Sequence, residues 1–210
     1  MAVSIHDWKK VDSSTPSVPA DVELWFIHPC PSNIRVSSLI KERFSQNPDL
    51  KILKDEYGKP FITPSSGVVF SGAHCGLAAL LAIGKDRTLG VDIEKNDPRR
   101  FNENIPREYF TNRENEFLGQ LPLEQKIEAF FHIWTCKEAV IKATGLGTQL
   151  PLEHIEIAGR HPKKVALFNV QRQCFEAGHL ELHELLLPND YIGYVASGPS
   201  GTSEPEVLCR

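Results

Sequence analysis

The sequence predicts a mixed fold of strands and helices, on three observations. Apolar and polar residues alternate with a period of two in both halves of the chain, around 22–26, 89–93 and 191–196. One segment, 123–144, instead carries its large apolar residues at helical spacing. Short breaks bearing glycine or proline separate these stretches. A chain of 210 residues is long enough for one large domain or for two small ones sharing a core.

Composition narrows the classes. The net charge is −4, which gives no global basic signature for nucleic acid, so any anion must be held by locally placed Lys, Arg and His. The five cysteines (30, 75, 136, 174 and 209) are widely spaced with no C-x-x-C pair. That argues for reduced thiols and a cytoplasmic setting rather than a disulfide framework or a zinc site. The first residues carry no apolar segment behind a basic one, so no secretory signal is expected. The longest apolar run, 77–83, is far too short to span a bilayer.

In chain order, residues 9–20 read as a polar lead-in with Pro16 and Pro19. Val22, Leu24 and Phe26 make a first strand, broken by His28-Pro29-Cys30-Pro31. A helix follows through Leu39, Ile40 and Phe44, with Ser32 or Asn33 as N-cap and Pro48 beyond its end. Tyr57-Gly58-Lys59-Pro60-Phe61 is a turn leading into extended chain, where Lys59 either reaches an anion or simply solvates the turn. A strand at 68–70 runs into a small-residue bend, Ser71 to Gly76, that carries His74. Residues 77–83 suit a second strand, and Gly84-Lys85-Asp86 turns the chain into a third. A division near Asp97 separates an N-terminal half, 1–97, from a C-terminal half, 98–197, with a flexible tail at 198–210.

In the second half, Thr111-Asn112-Arg113-Glu114 fits a capping box opening a helix through Leu118. The long helix, 123–144, stops at Gly145. Short strands are expected at 155–157, 165–168, 180–187 and 191–196. His179, Glu181 and His183 share one strand face, which reads as a solvated outer face, with metal binding as the lesser alternative.

The residues with chemical promise lie in two places. In Gly90-Val91-Asp92-Ile93-Glu94, the carboxylates of Asp92 and Glu94 project from one strand face about 6–7 Å apart. Like charges that close repel unless a cation sits between them, and a hard divalent ion with oxygen ligands would serve. The plainer reading is the solvated face of an edge strand. On the long helix, Glu138 precedes Lys142 by four residues, beside a face that Phe131, Trp134 and Ile141 must bury.

Taken together, Gly58-Lys59-Pro60, Gly90-Val91-Asp92-Ile93-Glu94-Lys95 and Trp134-Thr-Cys-Lys137-Glu138-Ala139-Val-Ile-Lys142 resemble the 4′-phosphopantetheinyl transferases of the surfactin-synthetase-activating type. That family carries G-[VI]-D-[IVL]-E followed by W-x-x-K-E-[AS]-x-x-K, and the second motif is matched at every fixed position. The resemblance covers roughly 57–157. It implies an α+β pseudo-dimer of two similar halves, each an antiparallel sheet with a long helix, with the active site at their interface. It implies transfer of phosphopantetheine from coenzyme A to a serine of an acyl or peptidyl carrier protein, by a monomer, releasing adenosine 3′,5′-bisphosphate. It implies Mg²⁺, or Mn²⁺, held by Asp92, Glu94 and Glu138. Glu138, Lys142 and Glu114 are the implied catalytic residues, with Glu138 the first choice of base and Glu114 the second. Lys59, His74, Asp92, Lys137 and Lys142 are implied to bind coenzyme A. Arg99, Arg100, Arg107, Arg113 and Lys126 would steer an acidic carrier. Ala73 and Cys75 replace hydroxyl residues usual in the family, which leaves a non-catalytic module binding coenzyme A or a carrier protein as the alternative.

Overall fold

The computed structural model describes residues 8–11, 18–30, 36–47, 49–64, 67–157, 165–167, 180–188 and 190–199. The expected N-cap at Ser32 or Asn33, Pro48, Phe168, His179 and the chain beyond 199 lie outside them.

The N-terminal elements are β1 (Trp8–Lys10), β2 (Glu23–Ile27), α1 (Val36–Arg43), β3 (Lys51–Lys54), β4 (Pro60–Thr63), β5 (Val68–Cys75), β6 (Ala78–Lys85) and β7 (Arg87–Lys95). Helices α2 (Asn104–Tyr109), α3 (Asn112–Gly119) and α4 (Leu123–Thr144) follow. The last strands are β8 (Ile155–Ile157), β9 (Val165–Leu167), β10 (Glu181–Leu185) and β11 (Tyr191–Pro199). All pairings are antiparallel: β1-β2-β6-β5 form one sheet, β10-β11-β7 a second, and β3-β4 and β8-β9 are two-stranded.

The two larger sheets pack face to face. Leu24, Phe26, Leu80 and Ala82 from the first meet Leu89, Val91, Ile93 and Val195 from the second. The outer face of the first sheet, with Ile27, Leu81 and Ile83, is covered by Leu39 and Ile40 of α1 and Ile62 of β4. The outer face of the second sheet, with Leu182, Ile192 and Tyr194, is covered by α4, which α3 and β8 buttress. Helix, sheet, sheet and helix thus form successive layers around three apolar clusters.

Four sequence expectations change. Residues 8–10 form a short strand on β2 instead of belonging to a loose lead-in. The small residues Ser71–Cys75 do not bend: β5 runs straight through them, paired with β6, and the turn comes at Gly76, whose φ is +58°. Small side chains on the inward face let the two sheets approach, so smallness here reflects packing. A division at residue 97 would leave β7 with the first half, yet β7 hydrogen-bonds to β11 along its whole length. The layers therefore divide at the Asp86 turn, and Asp92 and Glu138 lie on adjoining elements of the same layer pair. Finally, β11 continues to Pro199, opposite Arg87, so the tail cannot begin at 198.

Helix α4 carries the site, and its ends follow from local rules. Gly145 at φ +75° closes it by donating to Ile141 O. Its rest on the sheet is set by Gly90: a Cβ there would stand 2.1 Å from the backbone oxygen of Ala139 and 2.3 Å from the nitrogen of Ala143. Only glycine permits that approach. The even-numbered face of β7 (Gly90, Asp92, Glu94) is consequently the face turned to α4, while Leu89, Val91 and Ile93 fill the core between the sheets.

Candidate active site

Along α4 most side chains are buried, but Trp134, Glu138, Ile141 and Lys142 are only partly so and form one accessible edge. There Lys142 meets β7. Its ammonium donates to Asp92 Oδ1 at 2.7 Å. The second oxygen of Asp92, Oδ2, is buried with no hydrogen-bond partner among the described residues. Burial pushes the Asp92 carboxyl up to about 7 against the pull of Lys142, and the charges of Glu138 and Glu94 push the same way. Glu138 is also raised, by burial first, with Lys142 opposing and Glu94 adding to the rise. Asp92, Glu94 and Glu138 are therefore close enough to feel one another's charge.

The repulsion foreseen between Asp92 and Glu94 is relieved from inside the protein. Lys142 serves Asp92. Arg100, in the 3-10 turn Pro98–Arg100, stands 2.8 Å from Glu94 Oε2. The Cys75 thiol donates to the same Glu94 oxygen at 3.2 Å, and Arg100 Nη1 donates to Cys75 Sγ at 2.8 Å. Among the described residues no three His, Cys, Asp or Glu side chains form a ready-made metal cage. The orphaned Asp92 Oδ2, beside two more carboxylates, nonetheless fits a hard cation that prefers few carboxylates and fills its remaining positions with water and phosphate oxygens.

A cavity of about 270 Å³ opens beside Lys142, walled by Lys59, Ser71, Gly72, Ile141 and Gly145. Lys59 reaches it from the β3-β4 turn, its ammonium donating to Ala143 O at 2.8 Å. Burial lowers the Lys59 ammonium to about 8, opposed by Asp55. His74 is exposed on the same face of β5 as Gly72, two residues along. Ala73 and Cys75 point the other way, into the core between the sheets and toward Glu94. The two departures from the family's hydroxyls thus lie off the His74 face.

Two residues expected at the site are elsewhere. Glu114 and Lys137 form an ion pair at 2.7 Å whose side chains are 2% and 0% exposed. Glu114 closes the α3 capping box, accepting from Thr111 N at 2.8 Å, and also accepts from Ile157 N at 2.7 Å. Lys137 donates to Leu152 O at 2.8 Å and Ile155 O at 2.5 Å, with its charge over the Phe110 ring. Every polar atom of the two side chains is thus committed to a partner inside the protein, away from the accessible edge of α4. The signal was present: Phe130, Ile133, Lys137 and Val140 share the buried helical period.

Other expectations shift too. His183 is 3% exposed and bonded to Ser197 Oγ, so it does not lie on a solvated face, and burial lowers its imidazole. Of the five cations proposed to steer a carrier, Arg99, Arg100, Arg113 and Lys126 each face a carboxylate: Asp97, Glu94, Glu156 and Glu103. Arg107 opens instead on a groove between α2, α3 and α4, making no ion pair among the described residues. Arg100's place at the site was missed, because only the turn after β7 brings it back onto Glu94.

Known proteins resemble the chain as follows. The family model "4′-phosphopantetheinyl transferase superfamily" matches residues 88–196, just over half of the chain. The chain is 43% identical over 104 residues to 4′-phosphopantetheinyl transferase HetI of Nostoc sp. (strain PCC 7120 / SAG 25.82 / UTEX 2576), covering 48% of this chain and 44% of that protein. It is 29% identical over 126 residues to 4′-phosphopantetheinyl transferase Sfp of Bacillus subtilis (strain 168), covering 60% and 55%. The chain spans about half the length of the curated relatives it matches. A crystal structure of a holo-(acyl-carrier-protein) synthase from Bacillus anthracis str. Ames, in complex with CoA (3′,5′-ADP), gives a TM-score of 0.39 at 17% identity, covering 54% of this chain and 96% of that one.

Proposed function

Because the chain belongs to the 4′-phosphopantetheinyl transferase superfamily, we propose that it moves the 4′-phosphopantetheine group of coenzyme A onto a serine of an acyl or peptidyl carrier protein, releasing adenosine 3′,5′-bisphosphate. The observation that carries this reading is the juxtaposition of Asp92, whose Oδ2 is orphaned and whose Oδ1 holds Lys142, with the charges of Glu138 and Glu94, beside a cavity that Lys142 lines. The finer assignments are the surfactin-synthetase-activating type, an organisation as two similar halves with the site between them, a monomeric state and a cytoplasmic location. The motif pair supports the first. A layer of helix on sheet at each face supports the second. No helix among the described residues is long and apolar enough to cross a membrane.

The reaction exchanges one P–O bond for another. The serine oxygen attacks the phosphorus bearing the pantetheine arm, and the bond to adenosine bisphosphate breaks. Charge grows on the leaving phosphate, and the Lys142 ammonium, held on Asp92, would neutralise it. Glu138, held up by burial and partly exposed, is the carboxylate left to accept the serine proton, directly or through water, since Glu114 is sealed inside. Lys59 lines the cavity and His74 is exposed on the β5 face of Gly72, which also lines it; both would hold coenzyme A phosphates. Asp92, Glu94 and Glu138 would hold Mg²⁺ or Mn²⁺, which when bound supplies positive charge to the diphosphate.

The test is release of adenosine 3′,5′-bisphosphate from coenzyme A, measured by chromatography with and without an apo carrier. Carrier-dependent release that disappears in Asp92→Ala and Glu138→Ala supports the transfer. Release without any carrier would make water the acceptor and overturn it.

A further inference from the structure

Glu94 and Asp92 are matched by two internal cations, but only Lys142 belongs to the motif that suggested the function. Arg100 lies five residues past β7, and the 3-10 turn Pro98–Arg100 folds it back. Its guanidinium is 46% exposed, stands 2.8 Å from Glu94 Oε2, and is steadied by Cys75 Sγ at 2.8 Å. Cys75 also donates to Glu94 Oε2. Glu94 Oε1 makes no hydrogen bond among the described residues. The acidic site is thus occupied by protein charges on two of its three carboxylates, while the Asp92 side chain, 8% exposed, keeps one oxygen unpartnered.

We propose that Arg100 is the resident counter-cation of Glu94, so that a divalent ion entering the site binds against its charge. This rests on the transferase reading above. A fixed positive charge beside a carboxylate ligand lowers the affinity of that ligand for a second cation. For a guanidinium half in water, the screened effect on a divalent ion is a few-fold to about tenfold. A purely orienting role has the opposite sign, because losing a partner that orients a ligand weakens metal binding by about 10–100-fold.

The experiment is calorimetric titration of Mg²⁺ into the full chain, wild type against Arg100→Gln and Arg100→Lys, with coenzyme A present and absent, and Mn²⁺ uptake by electron paramagnetic resonance as a second readout. Arg100→Gln should bind the ion a few-fold to tenfold more tightly with its Tm kept, and Arg100→Lys, which keeps the charge, should stay within about twofold of wild type. Equal or weaker binding by Arg100→Gln, with wild type binding normally, overturns the role of Arg100 alone. Wild type that takes up no ion even with coenzyme A overturns the site reading and this inference with it. If Arg100→Gln loses its fold, Arg100→Met reads the same loss of charge.

Discussion

Replacing Lys137 by Met keeps most of the side chain's volume and removes its charge from a site with no solvent. Three acceptors lose the Lys137 ammonium: Glu114 Oε2 at 2.7 Å, Leu152 O at 2.8 Å and Ile155 O at 2.5 Å. Glu114 keeps its bonds from Thr111 N and Ile157 N but is left as an unpaired buried carboxylate. Breaking such a pair from one side costs about 3–5 kcal/mol, a large share of the stability of a domain this size. Urea denaturation should report that loss through a lower midpoint at unchanged slope. Lys137→Met with Glu114→Gln should recover part of it, because the second change removes the stranded charge. At temperatures where Lys137→Met is still folded, the KM for coenzyme A should stay within about twofold of wild type. A stability loss below about 1 kcal/mol, or a tenfold rise in KM with the fold intact, would refute a structural role and return Lys137 to the substrate site.

Other perturbations follow from the same geometry. Gly90→Ala drives a methyl group into the backbone of α4 at Ala139 and Ala143; it should cost at least about 1–3 kcal/mol and lower turnover by shifting Glu138 and Lys142 off Asp92, with crystallography of the variant as the check. The Lys59 ammonium, lowered to about 8 from an ordinary 10.5, should give coenzyme A an affinity that falls as pH rises through about 8, and Lys59→Met should abolish that dependence. Its contribution to stability has the opposite slope: between about 8 and 10.5 the unfolded chain holds the extra proton, so stability rises with pH in that window. Arg107→Glu should slow capture of an acidic carrier at low salt more than Arg99→Glu, whose charge Asp97 already balances, as stopped-flow association would report.

Where a residue's role is decided by its chain neighbours, it was legible in the sequence. The 123–144 helix, its Gly145 stop, the Thr111–Glu114 capping box and the alternation of β7 all follow from local spacing and appear as read. The ion pair of Asp92 with Lys142 was not foreseen, since the paired motifs joined Asp92 to Glu94 and Glu138 around a metal and left Lys142 to the phosphate. What failed depends on partners distant in sequence. Ser71–Cys75 looked like a bend because small residues mark turns, whereas here they mark a sheet closely faced by another. Glu114 and Lys137 were implied at the site by the resemblance, yet each is the other's buried partner across 23 residues. Arg100 looked like a surface cation until the turn placed it on Glu94. The non-catalytic alternative drew its support from Ala73 and Cys75; both lie away from the His74 face, while the Cys75 thiol reaches Glu94 instead.

The most direct measurement is the intact mass of an apo carrier protein after incubation with the full chain, coenzyme A and Mg²⁺, across acyl and peptidyl carriers. The expected result is a gain of one phosphopantetheine on the carrier serine, lost with chelator and in Asp92→Ala and Glu138→Ala. A carrier of unchanged mass across the whole panel, with coenzyme A bound and the protein folded, would contradict the transferase assignment.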